Sequence, residues 1–234
     1  TLRNIAGEHT CDRRETAFKV GKADITVIRS GTIEKAAVTH MSMFDIVPPE
    51  ATEPIDYMVF QVEIFPESPL CPMGHFNTEW SLSGDGPYHM NLDLFPAVAD
   101  NALQAPVKVA MDELARKYRI DPQELRTGLD EHYMMDHWET PLSAGLGCKL
   151  MHLKDAQLDL FIEAYHTFFE HYADLLRANI DKQASAEQQN QKHKRNGKWI
   201  EYLTLKDVAV KMGLAAGLPP EAIIKLSFPP NACF

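Results

Sequence analysis

Hydrophobic and polar residues alternate through residues 57–96, and this pattern predicts three successive β-strands with their turns. Every second residue is apolar across residues 58–64, as in a half-buried strand. The alternation is sharper across residues 75–82. It recurs at residues 88–94, after a Ser-Gly-Asp-Gly-Pro sequence that favours a turn. The last two of these strands are therefore expected to pair as an antiparallel hairpin.

The polar residues of these two strands come together if the strands pair, because facing residues in antiparallel strands lie on one side of a sheet. The expected register places His75 near Asp93 and Asn77 near Asn91. The patch has no lysine or arginine, and its side chains are of the types that donate, accept and move protons. The pattern fits a solvated outer face of a sheet equally well, so both interpretations stay open. We call the six residues the polar face: His75, Asn77, Glu79, His89, Asn91 and Asp93.

The rest of the chain is expected to add further strands and a group of helices. Two earlier strands are predicted at residues 25–29 and 34–44, and a sixth strand at residues 199–205. Residues 223–228 are apolar and either close the sheet or pack below it. Amphipathic spacing predicts a long helix over residues 155–179, whose apolar stripe is typical of a core-facing helix.

Helices dominate the middle of the chain, after a proline-rich connection at residues 47–54. Residues 107–118 have helical spacing, and the Asp-Pro-x-Glu sequence at residues 121–124 starts a helix that is expected to reach about Met134. Residues 182–194 are expected to form a solvated linker or an exposed helix. The order of strands, helices and late strands predicts a single α+β domain over residues 1–234. Its large antiparallel sheet, of about six or seven strands, is sandwiched between helices.

Composition narrows the possible functions. The chain has 234 residues, of which 45% are hydrophobic, so it can bury a substantial core. Its net charge of −10 argues against binding to nucleic acid or to an anionic membrane surface. No apolar run of membrane-spanning length is present, so no membrane insertion is expected. The four cysteines are scattered, which favours reduced thiols in the cytoplasm.

Several common catalytic motifs are absent, including the dinucleotide fingerprint, the phosphate-binding loop and the nucleophile elbow. An enzyme of the usual nicotinamide or ATP-dependent kinds is therefore not expected. The ten histidines raise a metal alternative. His75 and His89, with Asp93 or Glu79, match the two-histidine, one-carboxylate set that holds non-haem iron. Spacing across two strands permits this site without requiring it.

Eight pieces of sequence, in the same order from residue 31 to residue 230, resemble the oxygen-dependent coproporphyrinogen III oxidase family. Residues 31–38, GTIEKAAV, resemble the family's G-x-v-f-E-K-A-G-V strand. Residues 64–77 resemble the family stretch that contains H-P-x-N-P and ends in H-x-N-x-R. The "D-L-F-P" sequence beginning at Asp93 falls where the family has D-L-T-P. The other pieces lie at residues 130–137, 145–147, 197–202, 207–214 and 220–230.

The resemblance implies a flat antiparallel sheet between helices, usually in a homodimer, and neither a metal nor an organic cofactor. It implies that molecular oxygen oxidatively decarboxylates two propionates of a small-molecule substrate, coproporphyrinogen III, to give protoporphyrinogen IX. The matched functional residues are His75, Asn77 and Asp93, and the aspartate is expected to face the pyrrole N–H groups. A carboxylate there accepts several hydrogen bonds and stabilises positive charge on an oxidised pyrrole. His89 is a further candidate for proton transfer.

Departures from the family pattern concentrate on positive charge. Glu79 replaces the family's arginine, Trp138 replaces the arginine that follows His137, and Val208 replaces another. Bulkier residues also replace three glycines before Asp93. Because arginine binds carboxylates bidentately, four propionates would meet a much less basic pocket. The residues expected to contact substrate are Glu79, Trp80, Asn91, His137, Arg195 and Lys198.

These observations favour a divergent enzyme of this type. It would use O₂ to oxidise or oxidatively decarboxylate a porphyrinogen, a tetrapyrrole or another electron-rich, pyrrole-like substrate. One alternative is an enzyme similar to the ferredoxin-dependent bilin reductases, which protonate a bilin with carboxylate and histidine groups. Another is a non-catalytic tetrapyrrole-binding homologue, because retained fold signatures with lost arginines also describe an inactive relative.

Overall fold

The computed structural model describes residues 2–47, 53–82, 87–98 and 100–234. Its strands form one antiparallel sheet in which each strand pairs with the next along the chain. The α+β class with a large antiparallel sheet is therefore confirmed. The seven strands are β1 (His9–Phe18), β2 (Gly21–Ser30), β3 (Ile33–Ile46), β4 (Ile55–Pro66), β5 (Met73–Ser81), β6 (Tyr88–Phe95) and β7 (Cys148–Leu153).

Most of the helices follow the sixth strand, and a 3₁₀ turn at Asp155–Gln157 precedes the longest of them. No helix within the described ranges combines the length and apolar character that crossing a membrane requires. The helices are α1 (Leu2–Ala6), α2 (Asn101–Lys117), α3 (Pro122–Leu125), α4 (Leu129–His132), α5 (Leu158–Asn179), α6 (Ala186–Leu205), α7 (Val208–Ala215) and α8 (Pro220–Ser227).

Helices cover both sides of the sheet. On the side that we call the α5 side, Phe76 and Leu92 pack with residues of α2 and α5 such as Met111 and Phe168. On the opposite side, the α6 side, two clusters form against the sheet. One contains Phe65, Phe95, Tyr133 and Trp199, and the other joins Ile25, Val27 and Ala37 to α8. The predicted arrangement of a sheet between helices is thus present.

The strands and the register predicted for residues 57–96 are confirmed as β4, β5 and β6. His75 pairs with Asp93 and Asn77 with Asn91 in an antiparallel ladder. The two earlier predicted strands are confirmed as parts of β2 and β3. Most of the turn between β5 and β6, and most of the proline-rich connection between β3 and β4, lie outside the described residues.

The strand predicted at residues 199–205 is wrong, because these residues form the last turns of α6. Trp199, Tyr202 and Leu203 are buried at helical spacing, and a stretch this short is ambiguous between the two periods. The helix begins earlier, at a capping box in which Ser185 and Gln188 bond to each other's backbone N–H groups. Most of residues 182–194, which were expected to form a solvated linker or an exposed helix, therefore belong to this helix.

Other boundaries also differ from the predictions. The helix expected from residue 121 to about Met134 is two short helices, α3 and α4, because Gly128 interrupts it with a φ of 78°. Residues 223–228, which were expected to close the sheet or pack below it, belong mostly to α8 and pack on β2 and β3. The outer strand β1 is mostly exposed and polar, so no alternation of hydrophobic and polar residues marks it as a strand in the sequence.

Candidate functional site

The six residues of the polar face lie on one side of the sheet, as the predicted register requires. This is the α6 side, because the intervening apolar residues such as Phe76 and Leu92 are buried on the α5 side. Neighbouring strands set its residues in rows, whose members lie about 5 Å apart in antiparallel sheets. The three rows across β4, β5 and β6 are Glu63, His75 and Asp93; Gln61, Asn77 and Asn91; and Val59, Glu79 and His89.

His75 lies in an aromatic enclosure and is only 6% exposed. Its ring centroid is 5.4 Å from that of Trp199 and 5.8 Å from that of Tyr133. Its Nδ1 atom is 3.7 Å from Oε1 of Glu63, a fully buried carboxylate. The same oxygen accepts hydrogen bonds from Gln61 at 2.6 Å and from the Ser227 hydroxyl at 2.8 Å.

Glu63 was missed from the sequence, although its position in the alternation carries a signal. The even positions of residues 58–64 are all apolar, so Glu63 shares the other side of the strand with Gln61. Register then places it beside His75. A carboxylate that is 0% exposed beside a histidine is a strong candidate for orienting that histidine.

Asp93 is fully buried and its carboxylate holds the loop of residues 143–147 against β6. The Ser143 hydroxyl and the backbone N–H of Gly145 donate to Oδ2, the latter at 3.3 Å. The backbone N–H groups of Leu146 and Gly147 donate to Oδ1 at 3.1 and 3.4 Å. Burial raises the pKa of Asp93, and these donors oppose that rise. In the sequence, residues 145–147 of this loop stood out only as one of the pieces that resemble the family.

Glu79 is held by neutral donors rather than by a cation. The Asn77 amide donates to its Oε1 atom at 2.6 Å, and the Tyr57 hydroxyl donates to its Oε2 atom at 3.1 Å. Burial and the adjacent Glu79 raise the pKa of Tyr57, so its phenol remains a donor at neutral pH. The position at which the family has an arginine therefore carries a fixed anion.

The half-buried end of the polar face lies towards β7. The Nδ1 atom of His89 accepts a hydrogen bond from the backbone N–H of His152 at 3.2 Å, and the two rings are 4.8 Å apart. Asn91 pairs in the ladder with Lys149. The hydrogen bond from His152 fixes the tautomer of His89, because a nitrogen that accepts a hydrogen bond carries no proton.

Four other predicted contact residues lie away from the polar face. Trp80 is on the α5 side of β5, as the register requires. His137 is exposed and lies 2.7 Å from Glu201. The Lys198 ammonium lies 5.1 Å from the ring centroid of Trp138.

Arg195, the fourth, is buried and donates to the carbonyl of Phe95 and to Asn196. Burial lowers its pKa to about 10. The structure thus brings together the six residues of the polar face and places these four residues away from it.

Unpaired buried atoms concentrate at the polar face. Buried polar atoms without a hydrogen-bond partner are uncommon and mark positions that water or a ligand completes. Six such atoms of the described residues lie on or against this side of the sheet: Thr39 Oγ1, Glu63 Oε2, His75 Nδ1, Asn77 Oδ1, Asn91 Oδ1 and Tyr133 OH.

A metal would have to be held by residues that already serve other contacts. His89 lies in a different row from His75 and Asp93, and both oxygens of Asp93 accept hydrogen bonds from the loop. Across the described ranges, no group of three or more histidine, cysteine, aspartate or glutamate side chains is placed to hold a metal ion. The two-histidine, one-carboxylate arrangement is not assembled here.

The fold and the site define an α+β protein with a buried, partly unsatisfied polar site between its sheet and its helices. No family model matches the chain. It is 23% identical over 228 residues to a protein of Rickettsia rickettsii (strain Sheila Smith) named oxygen-dependent coproporphyrinogen-III oxidase, covering 92% of this chain and 81% of that protein. Proteins of the same name from Rickettsia peacockii (strain Rustic) and Rickettsia conorii (strain ATCC VR-613 / Malish 7) are 22% identical, with the same coverage. These similarities support a distant relationship.

Proposed function

We propose that this chain is a divergent coproporphyrinogen-oxidase-like enzyme that uses O₂ to oxidise a tetrapyrrole or another electron-rich, pyrrole-like substrate. The observation that carries the proposal is the cluster of unpaired, buried polar atoms around His75 and Asn77. The distant relatives named as coproporphyrinogen oxidases add to it, since they align over most of the chain. The protein works without a metal or an organic cofactor, and it functions as a cytoplasmic homodimer.

The proposed reaction is a two-electron oxidation of the substrate. When a propionate side chain is the reacting group, its β-carbon loses a hydride equivalent and its carboxylate leaves as CO₂, so a vinyl group forms. O₂ accepts the two electrons and, with one further proton, becomes H₂O₂. The protein needs only to bind the pyrrole, stabilise positive charge on it and provide a proton path.

Three kinds of group on the polar face suit these tasks. Asn77 and Asn91 present amide oxygens that orient pyrrole N–H groups. His75, beside the Glu63 carboxylate, is the candidate for moving a proton. Asp93, which is fully buried, supplies negative charge to the polar face while its oxygens hold the loop of residues 143–147.

The test is an oxygen-uptake assay with freshly reduced coproporphyrinogen III and with smaller pyrroles, run in air and under argon. We expect O₂-dependent H₂O₂ formation that falls by about 100-fold in His75→Ala, the range typical of a lost proton-transfer group. His137→Ala is the matched control, because His137 is exposed and lies off the polar face. Equal rates for wild type and His75→Ala, or no O₂ uptake with any of these pyrroles, would overturn the proposal.

A second candidate function is tetrapyrrole binding without catalysis. It is favoured by Asp93, whose two oxygens are occupied by the loop of residues 143–147 rather than directed at an open site. Binding of a tetrapyrrole that is unchanged in an Asp93→Asn/His75→Ala double variant, with no turnover by either protein, would support this candidate. The bilin reductase alternative remains a prediction from the sequence.

A further inference from the structure

We infer that the polar face selects a ligand rich in N–H donors and poor in carboxylates. The inference rests on the proposed function only in placing the ligand at this face. The chemical type of the unpaired atoms supports it. Three of them, Oε2 of Glu63, Oδ1 of Asn77 and Oδ1 of Asn91, are oxygens that accept hydrogen bonds and donate none while Glu63 is ionised.

The orientation of Asn77 is fixed by its neighbour. Its amide nitrogen donates to Glu79 at 2.6 Å, so its oxygen is the atom that remains without a partner. Asn77 and Asn91 are direct neighbours in the ladder and are each 9% exposed. A ligand with adjacent N–H groups therefore meets two buried acceptors on adjacent strands, and each bond removes an unsatisfied atom.

Cations that could bind carboxylates are scarce at this site. Among the described residues of β3–β7 on the α6 side, the two cations are Lys35 and Lys149. The Lys35 ammonium already donates to the carbonyls of Phe228 and, at 3.4 Å, Ile224. Burial also lowers its pKa to about 7, so part of its population is neutral at physiological pH. On the overlying chain, Lys206 donates to two backbone carbonyls.

Among the described residues of the sheet, Lys149 is therefore the cation left to meet a ligand carboxylate, at the half-buried end beside Asn91. Elsewhere the ligand meets Glu79 of the polar face and the adjacent Glu63, which repel a second anionic group. The ligand that fits carries N–H donors and at most one carboxylate. This differs from a tetracarboxylate such as coproporphyrinogen III in the number of anionic groups, while the pyrrole N–H chemistry is shared.

The experiment compares two matched probes under argon: an alkyl-substituted dipyrromethane and the same dipyrromethane with propionates in place of the alkyl groups. Binding to the full chain is measured by isothermal titration calorimetry. We expect the alkyl probe to bind at least about tenfold more tightly, which corresponds to about 1.4 kcal/mol. We expect Asn91→Leu, which replaces the acceptor by an apolar group of similar size, to weaken binding of the alkyl probe by about tenfold.

The control variant is Asn4→Leu, because Asn4 is exposed on α1. Asn91→Leu is expected to keep the unfolding free energy of the wild type or to raise it, since an unsatisfied buried acceptor is removed. Tighter binding of the propionate probe, no binding of either probe, or an unchanged affinity in Asn91→Leu would overturn the inference. Binding of the alkyl probe under argon, followed by no O₂ uptake when the same mixture is exposed to air, would refute the proposed oxidation alone.

Discussion

Replacing Asp93 by alanine is expected to destabilise the fold, because its carboxylate accepts hydrogen bonds from four donors of one loop. These are the Ser143 hydroxyl and the backbone N–H groups of Gly145, Leu146 and Gly147. Alanine leaves the Ser143 hydroxyl and the N–H groups of Leu146 and Gly147 without this acceptor, whereas the N–H of Gly145 keeps the Ser143 oxygen as an acceptor at 2.9 Å. The loop then has to move away from β6 or keep unsatisfied N–H groups.

The size of the effect follows from which donors can find water. The Ser143 hydroxyl can rotate towards another acceptor, and the N–H of Gly145 still donates to the Ser143 oxygen, so these two donors lose little. Leu146 and Gly147 are buried, and each unsatisfied N–H costs about 2 kcal/mol. Asp93→Ala should therefore lower the free energy of unfolding by about 4 kcal/mol.

Asparagine at the same position should cost much less, about 1 kcal/mol. Its carbonyl oxygen can replace Oδ1 and accept from Leu146 and Gly147, while its amide can donate to the Ser143 oxygen. The bond from Gly145 is lost. Asparagine also avoids the desolvation that raises the pKa of Asp93, which offsets part of that loss.

Urea denaturation followed by circular dichroism at neutral pH measures these differences, with Ser143→Ala as a control that removes one donor. The expected order of stability is wild type, then Asp93→Asn and Ser143→Ala, then Asp93→Ala. A loss below about 1 kcal/mol in Asp93→Ala would show that the carboxylate does not hold the loop. Asp93→Asn is consequently the variant for activity assays, because it removes the charge and keeps most of the loop contacts.

Two further predictions concern the covering elements. Burial lowers the pKa of His132 from its ordinary 6.5 to about 4, so the unfolded chain binds more protons between these values. Stability is therefore lost as the pH falls through this window, by about 3 kcal/mol, and His132→Gln should remove this part of the pH dependence of urea unfolding; an unchanged slope contradicts it. A Cβ atom on Gly147 would lie 1.8 Å from the Leu92 carbonyl oxygen. Gly147→Ala should thus cost about 3 kcal/mol or more, against less than about 0.5 kcal/mol for Gly31→Ala, which meets nothing within 4 Å. Equal melting temperatures for these two variants would contradict the expected clash.

The register of the central hairpin could be predicted because one side of it must be buried. Phe76 and Leu92 are fully buried on the α5 side, and a slip of one residue would turn them to the opposite side. The alternation therefore fixes the faces, and the short turn sequence between the two strands limits which residues can be partners. His75 and Asn77 follow directly, because they occupy the intervening positions.

The loop contacts and the role of Glu63 could not be predicted, because they depend on residues that are distant in sequence. Ser143 reaches Asp93 from 50 positions away, and Ser227 reaches Glu63 from 164 positions away. Local periodicity carries no information about such contacts. The error at residues 199–205 has a different origin, since burial against the sheet selected a helix where a short apolar stretch fitted either period.

The two proposals together constrain the chemistry further than either does alone. A ligand with at most one carboxylate cannot lose two, so the double decarboxylation implied by the resemblance does not fit this polar face. The oxidation that fits is removal of two hydrogens from a pyrrole-like ligand, with O₂ reduced to H₂O₂, or loss of the single carboxylate that Lys149 can hold. The fixed anion at Glu79 favours the first, because it stabilises a cationic pyrrole and disfavours a nearby carboxylate. Oxygen would then be consumed without release of CO₂.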